Sequence, residues 1–358
     1  MGKCHAMAWT AVKGVFGDVP SPRLVMVCDI DEAAARQTAA DFDFAGFHTD
    51  WRRAVDHADV DVISIAAPNA FHAEIAIAAL DAGKHVWCEK PMAVALEDSE
   101  RMLAAAERSG RITVVGYNYV HNPAVQHAAR LARDGAIGKV QHFRIFMDED
   151  FMADPEKPWA LQSSAAAGYG VLDDFGCHTI SLAHVLIGDV ASVCAFSQRP
   201  YPTRPDAGAG APRAVENEDI ATSLLRFENG VMGSMSASRA NWGRKGRLEW
   251  EIHGSGGTIL FNQERMNELR LFTADTAPAV NGFRTIFTGP YHEPYGAFCP
   301  APGHNLGFND QKVIEARNLL HAITGKAEPV YDFARALKVE RVVHAMARSA
   351  REACWVDV

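Results

Sequence analysis

The 358-residue chain lacks a run of about 18 apolar residues, the length that a membrane-spanning helix needs, so we expect no membrane span. Basic residues are also short: 35 Lys and Arg stand against 44 Asp and Glu, giving a formal charge of −9. Proteins that bind nucleic acid generally present a basic face, so the balance disfavours that class.

Paired cysteines are missing as well. None of the seven cysteines forms a C-x-x-C motif, which argues against a disulfide framework and a zinc site. The first residues do not resemble a signal peptide. We therefore predict reduced thiols and a cytoplasmic location.

The first 120 residues alternate between apolar runs typical of buried strands and segments with helical periodicity. We predict four helices: one that begins at residue 2 or 3, and three that cover 31–41, 72–82 and 97–109. We also predict four strands, at 23–28, 59–66, 85–88 and 112–115. This alternation predicts βαβ units, and therefore a doubly wound parallel sheet in a first domain of residues 1–119.

Beyond residue 120 the pattern changes to strands without intervening helices. We predict an antiparallel sheet within an α+β domain of residues 120–358, with a mobile loop at 202–213. The predicted strands are 140–147, 190–196, 220–227, 231–237, 248–253 and 258–261, and the predicted helices are 122–134, 310–324 and 333–352.

Ligands of doubly wound sheets bind outside the carboxyl ends of the strands. Asp29 ends one predicted strand, in a position to accept the hydroxyls of an adenosine ribose. Asp31 and Glu32 would repel a 2′-phosphate, which favours NAD over NADP. The alternative is that Asp29 caps the following helix.

Asp174 and His178 are spaced i, i+4 in a predicted helix, which puts a carboxylate and an imidazole on one face. They could be two metal ligands, but further ligands at defined spacing are missing, so we expect no metal. Two alternatives remain open: a helix cap with a core histidine, or a general base with its partner.

Taken together, six segments resemble the Gfo/Idh/MocA oxidoreductases, the glucose–fructose oxidoreductase and inositol dehydrogenase family. They span nearly the whole chain: Met1–Ala6, Ala67–His72, Glu89–Pro91, Gly116–Tyr119, Asp174–His178 and Trp355–Val358.

The resemblance implies a Rossmann domain followed by a domain with a large, mostly antiparallel open sheet, with the cofactor at the strand ends and substrate between the domains. Lys90, Asp174 and His178 match the family's catalytic residues, with His178 as the base and Lys90 beside the reacting oxygen. We also expect a cis Lys90–Pro91 bond, as in relatives.

Further positions follow from the resemblance with less specificity. The expected cofactor-binding residues are Gly2, Asp29, Ala67, Pro68, Asn69, His72, Glu89, Lys90 and Asn118, and the expected substrate residues are Tyr119, Asn122, Trp159 and His304. Core packing is the alternative for Trp159, and a solvated loop is the alternative for His304. Ala160 follows Trp159 where many relatives have arginine. We therefore expect an arginine contact to cofactor or substrate to be absent or moved.

The glycine fingerprint G-x-G-x-x-G is incomplete, because Gly2 can only be its last glycine. The first strand of the Rossmann sheet is missing with it. We expect both to be encoded upstream of Met1, since the sheet edges would otherwise be exposed; a protein that truly lacks the strand is the alternative.

These observations predict an NAD-dependent dehydrogenase that oxidises a ring hydroxyl of a sugar or cyclitol, such as an inositol, hexose or anhydrosugar. Relatives oligomerise through the open sheet face, so we expect a homodimer or homotetramer. Two alternatives are a sensor that binds NAD(P) and sugar without turnover, and a reductase of a keto-sugar or dihydrodiol.

Overall fold

The computed structural model describes residues 1–208, 210–275 and 277–358. Nine α-helices are found in these ranges. They are α1 Gly2–Val15, α2 Glu32–Phe42, α3 Arg52–Val55, α4 His72–Asp81, α5 Leu96–Ser109, α6 Pro123–Arg133, α7 Cys177–Leu186, α8 Phe308–Ile323 and α9 Phe333–Glu352. None of these helices is both long and apolar enough to cross a membrane.

The strands change along the chain as predicted: β1–β5 pair in parallel, and most of the later strands pair antiparallel. They are β1 Met26–Cys28, β2 Gly46–His48, β3 Val62–Ile65, β4 His85–Cys88, β5 Thr113–Val115, β6 Val140–Asp148, β7 Val190–Gln198, β8 Thr203–Arg204, β9 Arg213–Ala214, β10 Ile220–Phe227, β11 Met232–Ser238, β12 Arg247–Gly254, β13 Gly257–Asn262, β14 Glu268–Thr273, β15 Arg284–Phe287 and β16 Val356–Asp357.

The residues divide into two compact units. Unit 1 contains Met1–His121 and Leu306–Leu337, and unit 2 contains Asn122–Asn305 and Lys338–Val358. The sequence-based boundary put residues 306–337 in the second domain, whereas here they join the first. The physical reason is that α8 packs against α1 and carries a lysine that pairs with a carboxylate at the end of β4.

Unit 1 has the Rossmann-like parallel sheet predicted for it. Its strands form two hydrogen-bonded groups, β1-β2 and β3-β4-β5, and all pairs are parallel. Helix α1 begins where expected, and its buried face runs through His5, Ala8, Trp9 and Val12, whereas Met7 is 42% exposed.

Unit 2 contains a nine-stranded mixed sheet in the order β15-β14-β13-β12-β6-β11-β10-β7-β16. Its pairs are antiparallel except for β6 with β11, which confirms the mostly antiparallel sheet. The prediction of a mobile loop at 202–213 is wrong at both ends, because β8 pairs with β9 and the Arg204 side chain is fully buried. Ala209 in that segment lies outside the described residues.

Candidate functional site

The carboxyl end of β4 continues into Glu89, Lys90 and Pro91, and the Lys90–Pro91 bond is cis, as expected. His72 lies beside it at the start of α4. Its Nδ1 is 2.8 Å from the Pro91 oxygen and its Nε2 is 3.0 Å from the Ala67 oxygen. His72 is buried and joins two strand-end segments through its ring, a different role from the cofactor contact expected for it.

Glu89 lies in a buried cluster of charged side chains. Its Oε1 is 2.5 Å from Lys312 Nζ and 2.7 Å from His5 Nε2, while its Oε2 accepts a 3.3 Å hydrogen bond from the Lys90 amide. Burial alone would raise the pKa of Glu89, but Lys312 and His5 hold it well below the ordinary range. The carboxylate is therefore ionised and committed to protein groups, which differs from the expected cofactor contact.

The segment after β5 also packs within unit 1. Asn118 is buried and donates from Nδ2 to Gln311 Oε1 over 3.2 Å. Tyr119 is half-buried, with its ring edge-on to Phe308 at 6.1 Å between centroids. Helix α8 therefore supports the segment that carries both predicted ligand-binding residues.

The residues that end β1 and β3 fit a dinucleotide. Asp29 is exposed, and its Oδ1 accepts the Asp31 amide at 3.0 Å. The alternative role of Asp29 as a helix cap is wrong, because Asp31 caps α2 by accepting the Ala33 and Ala34 amides. Asp29 can thus offer a carboxylate to ribose hydroxyls at the edge where Rossmann-like sheets bind their ligands.

Three other predicted positions lie at this edge. A side chain placed on Gly2, at the start of α1, would meet nothing described within 4 Å. Pro68 is exposed, and Asn69 begins a short 3₁₀ turn that leads into α4.

Asp174 and His178 lie across a junction between two helical forms. Asp174 belongs to a π-helical turn, Leu172–Gly176, and His178 is the second residue of α7. The Asp174 side chain is 35% exposed, whereas His178 is buried. Such π turns are frequent at functional sites, because they shift the direction of side chains along a helix.

A glycine makes the entry into this turn possible. Gly170 has a φ of +60°, and a Cβ there would lie 2.3 Å from the Glu218 carbonyl oxygen. Any other residue would combine an unfavourable backbone conformation with a clash. The Gly-rich segment before Asp174 is therefore required by close backbone packing.

A buried arginine that the sequence-based prediction missed lies near Asp174. Arg239 Nη1 is 4.0 Å from Asp174 Oδ2, and Arg239 Nη2 donates to Asp219 Oδ1 over 2.8 Å. Arg204 Nη2 lies 3.8 Å from the other oxygen of Asp219. These residues come from separate strands or strand ends, so neither periodicity nor a local motif could have identified them.

The predicted substrate residues of unit 2 differ in their surroundings. Asn122 is buried. Its Oδ1 caps α6 by accepting a 2.8 Å hydrogen bond from the Ala124 amide, and its Nδ2 donates to the Met266 oxygen over 3.1 Å. Both ends of the Asn122 amide are thus hydrogen-bonded within the fold, and its contact with a substrate stays a prediction.

Trp159 and His304 lie nearer the surface. The Trp159 ring is partly exposed, so the core-packing alternative does not hold, and the Arg213 guanidinium carbon lies 3.2 Å from its ring centroid. Arg213, from β9, thus contacts this tryptophan. The absence or displacement of an arginine contact to cofactor or substrate stays a prediction. His304 is exposed in a loop, with Nδ1 at 3.2 Å from the Ala301 oxygen.

Both halves of the chain match models of known families. Residues 1–117 match the oxidoreductase family with an NAD-binding Rossmann fold, and residues 125–260 match the GFO/IDH/MocA C-terminal domain. The chain belongs to the GFO/IDH/MocA oxidoreductase family. It is therefore an NAD(P)-dependent oxidoreductase.

Relatives match this oxidoreductase along nearly its whole length. Levoglucosan dehydrogenase of Pseudarthrobacter phenanthrenivorans is 37% identical over 374 residues, covering 100% of this chain and 95% of the relative. A solved structure of levoglucosan dehydrogenase with NADH and levoglucosan superposes with a TM-score of 0.95 at 37% identity, covering 100% of this chain and 96% of that one. Inositol 2-dehydrogenase 2 of Saccharopolyspora erythraea is 28% identical, over 91% of this chain and 93% of the relative.

We predict that acid destabilises unit 1 through two buried histidines. Burial lowers the pKa of His5 to about 4 and that of His121 to about 3, whereas the unfolded chain binds these protons near pH 6.5. Their contribution is present above pH 6.5 and is lost as the pH falls towards 4, at roughly 1.4 kcal/mol per pH unit for each histidine. The measurement is the free energy of unfolding in guanidinium chloride at pH 7, 6 and 5.

Glu315 partly opposes the loss of stability with acid. Burial raises its pKa to about 7, so its contribution to the free energy of unfolding is lost as the pH rises from 4.5 to 7. In His121→Gln, an amide oxygen can accept the hydrogen bond that Asn318 now donates to the ring, and we expect a weaker loss of stability with acid. His57→Gln, at a half-buried position, is the control, and an unchanged slope in His121→Gln would contradict the prediction.

Proposed function

We propose that this oxidoreductase oxidises a ring hydroxyl of a sugar or cyclitol to a ketone or lactone, with NAD as the hydride acceptor. The observation that carries the proposal is the full-length match to levoglucosan dehydrogenase, in a chain that keeps Lys90, Asp174 and His178 together. A protein that only sensed sugar would not need a lysine at a strand end together with a carboxylate and an imidazole four residues apart in a helical stretch.

The proposed cofactor site uses the strand ends of unit 1. Asp29 accepts the adenosine ribose hydroxyls, and Gly2, Ala67, Pro68 and Asn69 line the adenosine and pyrophosphate side. NAD, when bound, takes up the hydride released from the carbinol carbon. Asn118 and Lys90 lie on the nicotinamide side, while Glu89 and His72 hold the strand ends from within the protein.

The remaining chemistry is the transfer of one proton. His178 accepts the proton of the substrate hydroxyl while the carbon–oxygen double bond forms, because a neutral imidazole can take a proton near pH 7. Asp174 orients the ring or shares the substrate hydroxyl. The Lys90 ammonium stabilises negative charge on the oxygen as the proton leaves. Tyr119, Trp159 and His304 are the proposed contacts to substrate.

We expect Lys90→Met and His178→Asn each to lower kcat with levoglucosan by roughly 10²–10⁴-fold, the usual contribution of a general base or a positioned charge. The measurement is NADH formation at saturating NAD, using levoglucosan, inositols and hexoses as substrates. Lys84→Met is the matched control, since Lys84 immediately precedes the opposite end of β4 and bonds the His57 oxygen.

The proposal fails if the parent enzyme turns over no sugar or cyclitol in either direction while binding NADH. It also fails if Lys90→Met retains the activity of the parent. Full activity in Lys84→Met is required for the loss in Lys90→Met to be attributed to its position.

We further propose that NAD is preferred to NADP. Asp29 is exposed at the end of β1, and the neighbouring Asp31 and Glu32 add negative charge where a 2′-phosphate would bind. We expect Asp29→Ser to lower kcat/KM for NAD at least tenfold with a smaller effect on NADP. Asp41→Ser, near the other end of α2, is the control, and a parent enzyme that prefers NADP would refute the proposal.

We also propose that unit 2 forms a homodimer or homotetramer through its open sheet face. Phe196, Leu224 and Met232 lie on one face of neighbouring strands and are 71%, 54% and 66% exposed. Exposed apolar patches on a sheet commonly mark interaction sites. Light scattering should show an oligomer for the parent and monomers for Leu224→Glu, with Val280→Glu as the exposed control; a monomeric parent would rule the proposal out.

A further inference from the structure

A lysine far from the Glu89-Lys90-Pro91 segment in sequence is buried directly behind it. Lys312, in the first half of α8, is fully buried, and Glu89 and Glu315 are buried beside it. Its Nζ lies 2.5 Å from Glu89 Oε1 and 2.9 Å from Glu315 Oε2. Burial alone would lower the pKa of Lys312, but the two carboxylates raise it above its usual value, so the side chain is a buried cation.

The Glu89 carboxylate links this cation to the backbone of Lys90. One oxygen accepts a hydrogen bond from Lys312 Nζ, and the other accepts a 3.3 Å hydrogen bond from the Lys90 amide. Lys312 also donates to the Gly116 carbonyl at 3.4 Å, just after β5. The ends of two neighbouring strands are thereby fixed to one ammonium group on α8.

Gly116 leaves the space that this arrangement needs. A Cβ at residue 116 would lie 2.8 Å from Glu89 Oε1 and 2.9 Å from Lys312 Nζ, so a side chain there would displace one of them. The glycine, the carboxylate and the lysine therefore depend on one another.

A buried ion pair is a costly way to obtain stability. Removing each charge from water costs several kcal/mol, and apolar side chains of similar size often stabilise a fold as well or better. A more specific benefit is geometric, because paired charges with fixed hydrogen bonds define one orientation of the segments they join. Lys312 has no exposed surface and cannot itself touch a ligand.

We propose that Lys312 is a positioning residue for Lys90. Acting through the Glu89 carboxylate, it fixes the backbone at the end of β4 and so the direction from which the Lys90 ammonium reaches the reacting oxygen. This inference rests on the proposed function, in which Lys90 stabilises the charge on that oxygen.

The test is a double-mutant cycle of Lys312→Met with Lys90→Met. We expect Lys312→Met to lower kcat at least tenfold per folded enzyme, with KM for sugar and the NADH dissociation constant changed less than threefold. In the Lys90→Met background it should have no further effect on the residual rate, because the residue through which it acts is already gone.

Hydrogen exchange provides a readout that does not depend on turnover. In Lys312→Met, amide exchange should increase in a peptide that covers Lys90, while a peptide from β3 stays unchanged. A merely structural lysine would lower the melting temperature and raise exchange throughout unit 1 without lowering kcat of the folded enzyme. That result, or losses that multiply in the double mutant, would overturn the inference.

Two further variants keep the test decisive. Glu315→Gln removes the carboxylate that binds Lys312 without contacting Lys90, and we expect kcat to stay within twofold of the parent. If Lys312→Met does not fold, Glu89→Gln replaces it, since this amide keeps the size of the side chain and removes its charge. The same tenfold loss and the same coupling to Lys90 are expected.

Failure of this inference can be distinguished from failure of the proposed function. An inactive Lys90→Met beside a fully active Lys312→Met would refute the positioning role alone. A Lys90→Met variant as active as the parent would refute the role of Lys90, and with it both proposals.

Discussion

The buried ion pair between Lys312 and Glu89 fixes the strand ends of unit 1 to helix α8. It joins residues 223 positions apart, and Glu315 and His5 complete the surroundings of the two charges. Because an unpaired charge in this interior would cost several kcal/mol, neither partner can leave without the other. Helix α8 is therefore part of the Rossmann-like unit, although the chain has passed through most of unit 2 before reaching it.

Unit 2 contains a similar group of buried ion pairs, in which the signs of the charges are reversed. In unit 1 a cation lies between two carboxylates, whereas in unit 2 Asp219 lies between Arg204 and Arg239. Each group contacts a residue proposed for catalysis: Glu89 bonds the Lys90 amide, and Arg239 lies near Asp174. In each unit, buried charges thus adjoin a residue proposed for catalysis, and the low polarity there strengthens electrostatic interactions.

Local patterns were enough for much of the fold, whereas the three proposed catalytic positions came from the family resemblance and stay predictions. Apolar runs placed β4 and β10 at their observed bounds, and the change from alternating to consecutive strands predicted both sheet types. Short elements such as β2 and α3 were missed, because three or four residues carry too little periodicity to be recognised. The hydrogen bonds of His72 and Asn122 within the protein could not be predicted either, since a motif match does not show which way a side chain turns.

The sequence by itself determined where β1, β4 and β5 end, that an acidic residue follows β1, and that Asp174 and His178 lie four residues apart in a helical stretch. Only the tertiary structure decided that α8 belongs to unit 1, that Glu89 faces a buried lysine, and that Arg239 adjoins Asp174. The physical reason is the range of the interaction. Periodicity and turn chemistry act between near neighbours in the chain, whereas a buried charge is satisfied by whatever partner the fold brings within a few ångströms.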